Sequence, residues 1–187
     1  LLQLIMEFPI FQVNLKHYSI RNWEEKKKPL LDKIPTGEYT DFMSYQRDQA
    51  VPPYLDELSD CVKEEVADFQ QSYPCPVVIT NAWTETARQY DYHNVHQHGA
   101  TGFSAVLYLR FDPACHEATK FYSPFNDPAT GDLLEYQPFV KEGDLVIFPS
   151  YLLHEGPMNK STKERTIVSF NIMGQNSYDA YNAGLQR

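Results

Sequence analysis

His96 and His98 stand two residues apart at the head of the stretch V-H-Q-H-G-A-T-G-F-S-A-V-L-Y-L-R, Val95 to Arg110. Side chains at i and i+2 of an extended strand share a face, so two imidazoles placed this way can grip one ion without distorting the backbone. A glycine-punctuated bend then leads into an apolar run that ends in Tyr108. Far downstream, His154 follows a second apolar segment, G-D-L-V-I-F-P-S. Two adjacent ligands plus a distant one suit an all-β scaffold, and the spacing points to a mononuclear metal centre inside a β-barrel.

The rest of the chain agrees with that scaffold. Strands are expected at Val77 to Trp83, His93 to His98, Gly102 to Arg110, Lys120 to Tyr122, Phe139 to Glu142, Asp144 to Phe148 and Thr166 to Met173, from short apolar or alternating runs between turn residues. Ahead of them, Leu55, Leu58, Val62, Val66 and Phe69 recur at helical steps and predict one amphipathic helix over Tyr54 to Ser72, a buttress for the sheet. Asn22 and Glu25 form a capping-box pattern that opens a helix through Lys28, with Pro29 as an interruption. Phe8 to Leu15, with Pro9, reads as an edge strand, and Thr36 to Pro53 as connection. Ser123 to Pro138 reads as a long insertion without structure, a candidate lid. The expected layout is one domain over 1–187: helical support over 1–73, a jelly-roll core over 77–173 and a polar tail over 174–187.

Composition narrows the partners. The formal net charge of −9 argues against a nucleic-acid backbone or an anionic membrane surface as main partner. No apolar run approaches the roughly 20 residues of a membrane span, and Leu1 to Met6 is too short for a signal peptide. Three cysteines without CxxC spacing indicate neither a disulfide framework nor a zinc knuckle, and a reducing, cytoplasmic compartment is the plain reading.

An H-x-H pair alone is weak, because most histidines are ordinary residues. His17 and His116 lack supporting context and read as surface residues. His93 falls on the opposite strand face from His96 and is expected to hydrogen-bond rather than ligate. Other features strengthen the site. Arg165 opens the last strand with Ser169 on the same face, and an inward arginine is costly unless it meets an anion. Tyr108 brings a hydroxyl that needs a partner if buried.

The ordered set H-x-H, a strand ending Y-L, G-D-L-V-I-F-P-S…H and R-x-x-x-S resembles the 2-oxoglutarate/iron(II)-dependent oxygenases. The closer likeness is to small prolyl-4-hydroxylase-like members common in phages and marine bacteria, and it covers about Asn81 to Ile172. It implies a double-stranded β-helix (a cupin-like jelly roll, mainly β with supporting α-helices) and a dioxygenase that uses Fe(II), 2-oxoglutarate and O2. Such an enzyme hydroxylates a C–H bond of a small-molecule or peptidyl substrate, such as a prolyl residue, and yields succinate and CO2. The compartment would be the cytoplasm, the host's if the chain is viral. His96 and His154 match the family's metal histidines. Arg165, Ser169 and Tyr108 match positions that hold the distal carboxylate of 2-oxoglutarate, and Asn171 a substrate-side position. Phe125 and Tyr136, in the candidate lid, would face substrate, and no catalytic residue is expected beyond the metal centre.

His98 departs from the family pattern, which carries Asp or Glu at that position. Three neutral imidazoles leave a divalent ion at formal charge +2, where the usual triad leaves +1. Asp91 and Glu155 are the nearest carboxylates that would serve instead, and His98 is the favoured ligand. Two other readings stay open at this point. One is a three-histidine cupin-type metal protein, a dioxygenase or isomerase that needs no 2-oxoglutarate. The other is a non-catalytic jelly-roll binding module.

Overall fold

The computed structural model describes residues 11–35, 39–42 and 50–185. Among these residues, nine strands form two antiparallel sheets. Strands β1 (Lys16–Ser19), β2 (Val77–Ala87), β4 (Phe103–Arg110), β7 (Asp144–Pro149) and β9 (Arg165–Gly174) make the larger, in the order β1-β7-β4-β9-β2. Strands β3 (His93–His96), β5 (Lys120–Asn126), β6 (Leu133–Tyr136) and β8 (His154–Gly156) make the smaller, in the order β3-β8-β5-β6. This is the two-sheet jelly roll expected from the sequence. Four helices accompany it among the described residues: α1 (Trp23–Lys33), α2 (Leu55–Cys61), α3 (Lys63–Gln70) and α4 (Gln175–Leu185).

The central strands β4 and β9 are largely buried on both faces, so apolar residues dominate β4 and one face of β9. Ala105, Leu107 and Leu109 of β4 join Val168, Phe170 and Ile172 of β9 in a core that the helices close with Leu30, Leu58, Val62 and Phe69. The alternate positions of β4, Val106 and Tyr108, enter a second core with Phe121, Val146 and Phe148. Period-two alternation thus assigns the other face of β9, Arg165, Ile167, Ser169 and Asn171, to the space between the sheets. One strand carries packing on one side and chemistry on the other.

Several elements differ from the sequence reading, each for a local reason. The 54–72 helix is two helices, broken at Val62, whose φ of −100° and ψ of 8° leave the helical range. Its buried stripe survives the break, and Lys26 Nζ donates to the Cys61 carbonyl that the break frees. Helix α1 runs through Pro29, and Asn22 takes a left-handed φ of 54° without making a side-chain cap. The edge strand lies at Lys16–Ser19 rather than in the 8–15 stretch, whose residues 8–10 fall outside the described set and whose 11–15 are coil. No strand forms at 139–142. The 123–138 segment is no structureless insertion: β5 extends to Asn126 and pairs with β6 around an Asp127 to Asp132 turn. Residues 175–185, expected as a polar tail, form α4.

Buried polar groups tie the helices to the sheet. The Asp41 carboxylate accepts from Tyr54 Oη (2.8 Å), Thr84 N (2.7 Å) and Thr84 Oγ1 (2.8 Å). His17 is exposed, as expected, and bonds the buried Asp144 at 3.0 Å. His116, likewise expected at the surface, is buried between Asp112 N and the Lys163 carbonyl.

Leu107, fully buried between β4 and the helices, tests the two-sided core. Leu107→Ala should lower unfolding free energy by about 2–5 kcal/mol in urea titration; a loss under about 1 kcal/mol would contradict this packing.

Candidate metal centre

Strand pairing brings the distant histidine to the near pair. His96 of β3 lies opposite His154 of β8, and Phe121 of β5 lies opposite His154 on the other side. His98 follows β3 in a bend held by two backbone bonds, His98 N to the Ser150 carbonyl and Ser150 N to the Gly102 carbonyl. Gly102 is required here: its φ is +84°, and a Cβ would meet the Ile172 carbonyl oxygen at 2.7 Å. Ligand atoms of His96, His98 and His154 all lie within 4.8 Å of one another.

The hydrogen bonds fix which nitrogen faces inward. His96 Nδ1 lies 2.7 Å from the Asn94 carbonyl and His154 Nδ1 lies 2.8 Å from the Leu152 carbonyl. A carbonyl can only accept, so both Nδ1 atoms carry the proton and both Nε2 atoms are lone pairs. His98 Nδ1 sits 2.9 Å from Asn171 Oδ1 and 2.9 Å from Ser104 Oγ, which itself donates to Asn171 Oδ1. Yet His96 Nε2 and His98 Nε2 are 3.0 Å apart. Two facing lone pairs repel at that distance unless a cation lies between them. Two nitrogens each about 2.1 Å from one ion, at a right angle, stand roughly 3.0 Å apart. The donor set therefore fits a divalent metal with open positions, each ligand oriented from behind by an acceptor.

Electrostatics agree. Burial lowers the pKa values of His96 and His98, and burial together with the neighbouring histidines pushes His154 down to about 3. All three are neutral and ready to ligate at pH 7. Neither carboxylate alternative joins them: Asp91 Oδ2 accepts from Arg88 N, and Glu155 sits opposite Lys120 on the outer strand pairing.

A tight cleft runs from the histidines toward Arg165. Its two lobes, each of about 20 Å³, share Glu85, His93, Thr119, Gly156 and Ile167. Ser169 lines the histidine lobe; Arg165 and Tyr108 line the far one. Arg165 is buried, with Nη1 donating to the Glu117 carbonyl and Nη2 to the Pro157 carbonyl, both at 2.8 Å. Tyr108 donates to Thr119 Oγ1 (3.0 Å) and accepts from Thr119 N (3.1 Å). A guanidinium with five N–H groups beside two hydroxyls suits a carboxylate. Each lobe has room for about one water, so a keto acid would enter only as the cleft widens.

Sequence reasoning missed some residues here and placed others differently. Asn171, expected on the substrate side, instead orients His98. His93, expected on the opposite face, stacks on His96 with centroids 4.1 Å apart and planes at 13°, because the β3–β8 register shifts between the two. Its hydrogen-bonding role holds, with Nδ1 2.8 Å from Glu85 Oε2. Ser104 and Glu85 gave no signal, since a strand serine and a lone glutamate carry no spacing rule. Phe125 and Tyr136 line a separate groove of about 490 Å³ with Phe11, Phe121, Tyr122 and Leu134.

Comparison with known proteins draws the same boundary. A family described as "Putative 2OG-Fe(II) oxygenase" matches residues 81–171, which span the site from β2 to β9. That segment, just under half of the chain, resembles the 2-oxoglutarate/iron(II) oxygenases. Similar solved structures include HygX from Streptomyces hygroscopicus with iron bound, at 10% identity and TM-score 0.62, covering 87% of this chain and 83% of that one. Another is a viral collagen prolyl hydroxylase from Paramecium Bursaria Chlorella virus-1 in complex with 2-oxoglutarate, at 10% identity and TM-score 0.53, covering 86% and 95%. A 2OG-Fe(II) oxygenase family protein from Burkholderia pseudomallei matches at 13% identity and TM-score 0.51; the match covers 65% of this chain but spans only 58% of that structure. At these identities the likeness is one of fold. No curated protein sequence matches the chain. As this superfamily uses Fe(II), 2-oxoglutarate and O2, the donor set and the Arg165 lobe are where the first two would be held.

A pH titration tests the neutral histidines in metal-free protein. An unfolded histidine takes a proton near pH 6.5, whereas His154 resists until about 3. Between those values the unfolded state binds more protons, so stability is lost as pH falls from 6.5 toward 3. His93 acts oppositely, because Glu85 raises its pKa: its contribution is present below 6.5 and lost as pH rises through the raised value. Urea midpoints should therefore fall between pH 6.5 and 4.5 in the wild type, and fall less steeply in His154→Gln. Equal slopes would contradict a buried neutral His154.

Proposed function

We propose that this chain is a 2-oxoglutarate- and Fe(II)-dependent dioxygenase that hydroxylates a C–H bond. The observation that carries the reading is the convergence of three Nε2 lone pairs, two of them 3.0 Å apart, at one end of a cleft whose other end holds a buried arginine. His96, His98 and His154 are the metal ligands, and Arg165, Tyr108 and Ser169 receive the cosubstrate. When bound, iron and 2-oxoglutarate supply the oxidising chemistry, and the cosubstrate leaves as succinate and CO2.

The chain's own groups bind, orient and exclude water. Asn94, Leu152, Asn171 and Ser104 hold the imidazoles so that no ligand needs to reorganise. Arg165 fixes the distal carboxylate by charge, which sets the keto acid end toward the histidines. Phe148, whose ring centroid lies 4.7 Å from that of His154, and Phe121 at 6.1 Å wall the metal side with apolar surface. Such a wall keeps water from the reactive centre.

For the substrate, a peptidyl residue such as proline suits the aromatic groove beside Phe121, where Phe125 is 50% and Tyr136 57% exposed. Prolyl rings pack well on aromatic faces. The similarity to a viral collagen prolyl hydroxylase points the same way. A second reading, a three-histidine metal protein without 2-oxoglutarate, is favoured by the narrow cleft and by the two backbone carbonyls that Arg165 already serves.

Anaerobic titration separates them. Wild-type protein with Fe(II) should develop a visible charge-transfer band on adding 2-oxoglutarate. Arg165→Ala should weaken 2-oxoglutarate binding by about 10- to 100-fold, the worth of a charge-assisted pair. No band, with unchanged affinity in the variant, would sustain the second reading and remove the first.

A further inference from the structure

Among the described residues, Glu85 is the only carboxylate that lines both lobes of the cleft. It is 9% exposed, on the β2 position paired with Ile167. Its two oxygens are held separately: Oε1 accepts from Trp83 Nε1 at 3.0 Å, and Oε2 lies 2.8 Å from His93 Nδ1. Each holder leans on a metal ligand. The His93 ring stacks on His96 at 4.1 Å, and the Trp83 ring lies 5.2 Å from that of His98. The carboxylate is thus fixed beside the histidines by groups that touch two of them, yet it makes no ligand contact itself. Burial works against its charge, but the His93 and Trp83 hydrogen bonds outweigh burial and keep Glu85 ionised, with a lowered pKa.

A carboxylate rarely stays ionised in a buried position without a cation to answer; in the metal-free protein His93, whose pKa Glu85 raises, is that partner, and a bound ion would be a second one. Three neutral imidazoles, meanwhile, leave a divalent ion with its full charge. We propose that Glu85 supplies, from outside the ligand set, the negative charge that the three histidines lack, and so sets a trade-off in the cleft: it strengthens metal binding and weakens anion binding beside the metal. This rests on the metal-centre reading above and concerns how that centre is tuned. Glu85 is a positioning residue here, acting on the ion through space and on His96 through His93.

The two effects have opposite signs, which a structural role would not produce. Co(II) affinity of the full chain, measured by chelator competition, should fall by about 10- to 100-fold in Glu85→Gln, the usual cost of removing an outer partner. The affinity of the Co(II)-loaded protein for 2-oxoglutarate, measured by calorimetry, should rise in the same variant, because a like charge has left the cleft. Glu85→Asp, which keeps the charge, should restore most of the Co(II) affinity and guards against misfolding of the glutamine variant. If both affinities fall in Glu85→Gln, or neither moves, the proposal is overturned. If the aspartate variant binds Co(II) as weakly as the glutamine variant, charge is not the cause and the proposal is likewise overturned. A wild-type protein that binds no Co(II), or binds it equally well as His98→Ala, would overturn the metal-centre reading itself.

Discussion

Two imidazole lone pairs facing each other at 3.0 Å are the constraint on which the rest of this structure turns. That arrangement is unfavourable in a metal-free protein, so something must hold it, and the fold does so through backbone. The carbonyls of Asn94 and Leu152 come from the same short strands and turns as the ligands they orient. Position and tautomer of His96 and His154 are therefore set by one local conformation. His98 is different. Its orientation depends on Asn171 of β9 and Ser104 of β4, so the third ligand is tied to the larger sheet while the other two belong to the smaller. The site exists only where the sheets meet, and the two cores that join them keep the three nitrogens in register.

The sequence made the sheet-borne residues legible because period two is strict. Arg165 and Ser169 share a face of β9 four residues apart, and both line the cleft. The apolar runs in β4 and β9 announced burial, although their two-sided character follows only once helices are placed against one face. What escaped depended on irregularity or on pairing across distance. A register shift between His93 and His96 put two residues three apart on one side, against the alternation that a regular strand would impose. Val62 broke a helix without interrupting its apolar stripe, so periodicity gave no warning. The β5–β6 hairpin hid because Pro124 and the polar turn obscured its alternation. Asn171 was legible as a site residue only through the family resemblance, and its partner, His98 at 2.9 Å, was not.

His98 stands where the resembled triad carries a carboxylate, and the consequences reach beyond the ligand set. In a facial triad with one carboxylate, the negative charge sits on the metal and leaves the neighbouring cleft free for an anionic cosubstrate. Here the nearby negative charge is displaced outward to Glu85, inside the cleft that leads to Arg165. The cleft then holds cation and anion together, Arg165 at one end and Glu85 along its wall, and the electrostatic preference for a dicarboxylate is smaller than the arginine alone would give.

That arrangement also explains why the cleft is tight. Glu85 and His93 fill space between the histidines and Arg165, and His93 belongs to a four-residue strand whose pairing with β8 is already irregular. A strand that short contributes few ladder bonds, so shifting it is less costly than moving β9, which is ten residues long and pairs with a strand on each side. Widening for a keto acid would therefore fall on β3, carrying His93 and its stacked neighbour His96 together. Cosubstrate entry and the geometry of one metal ligand are then mechanically linked through a single pair of stacked rings.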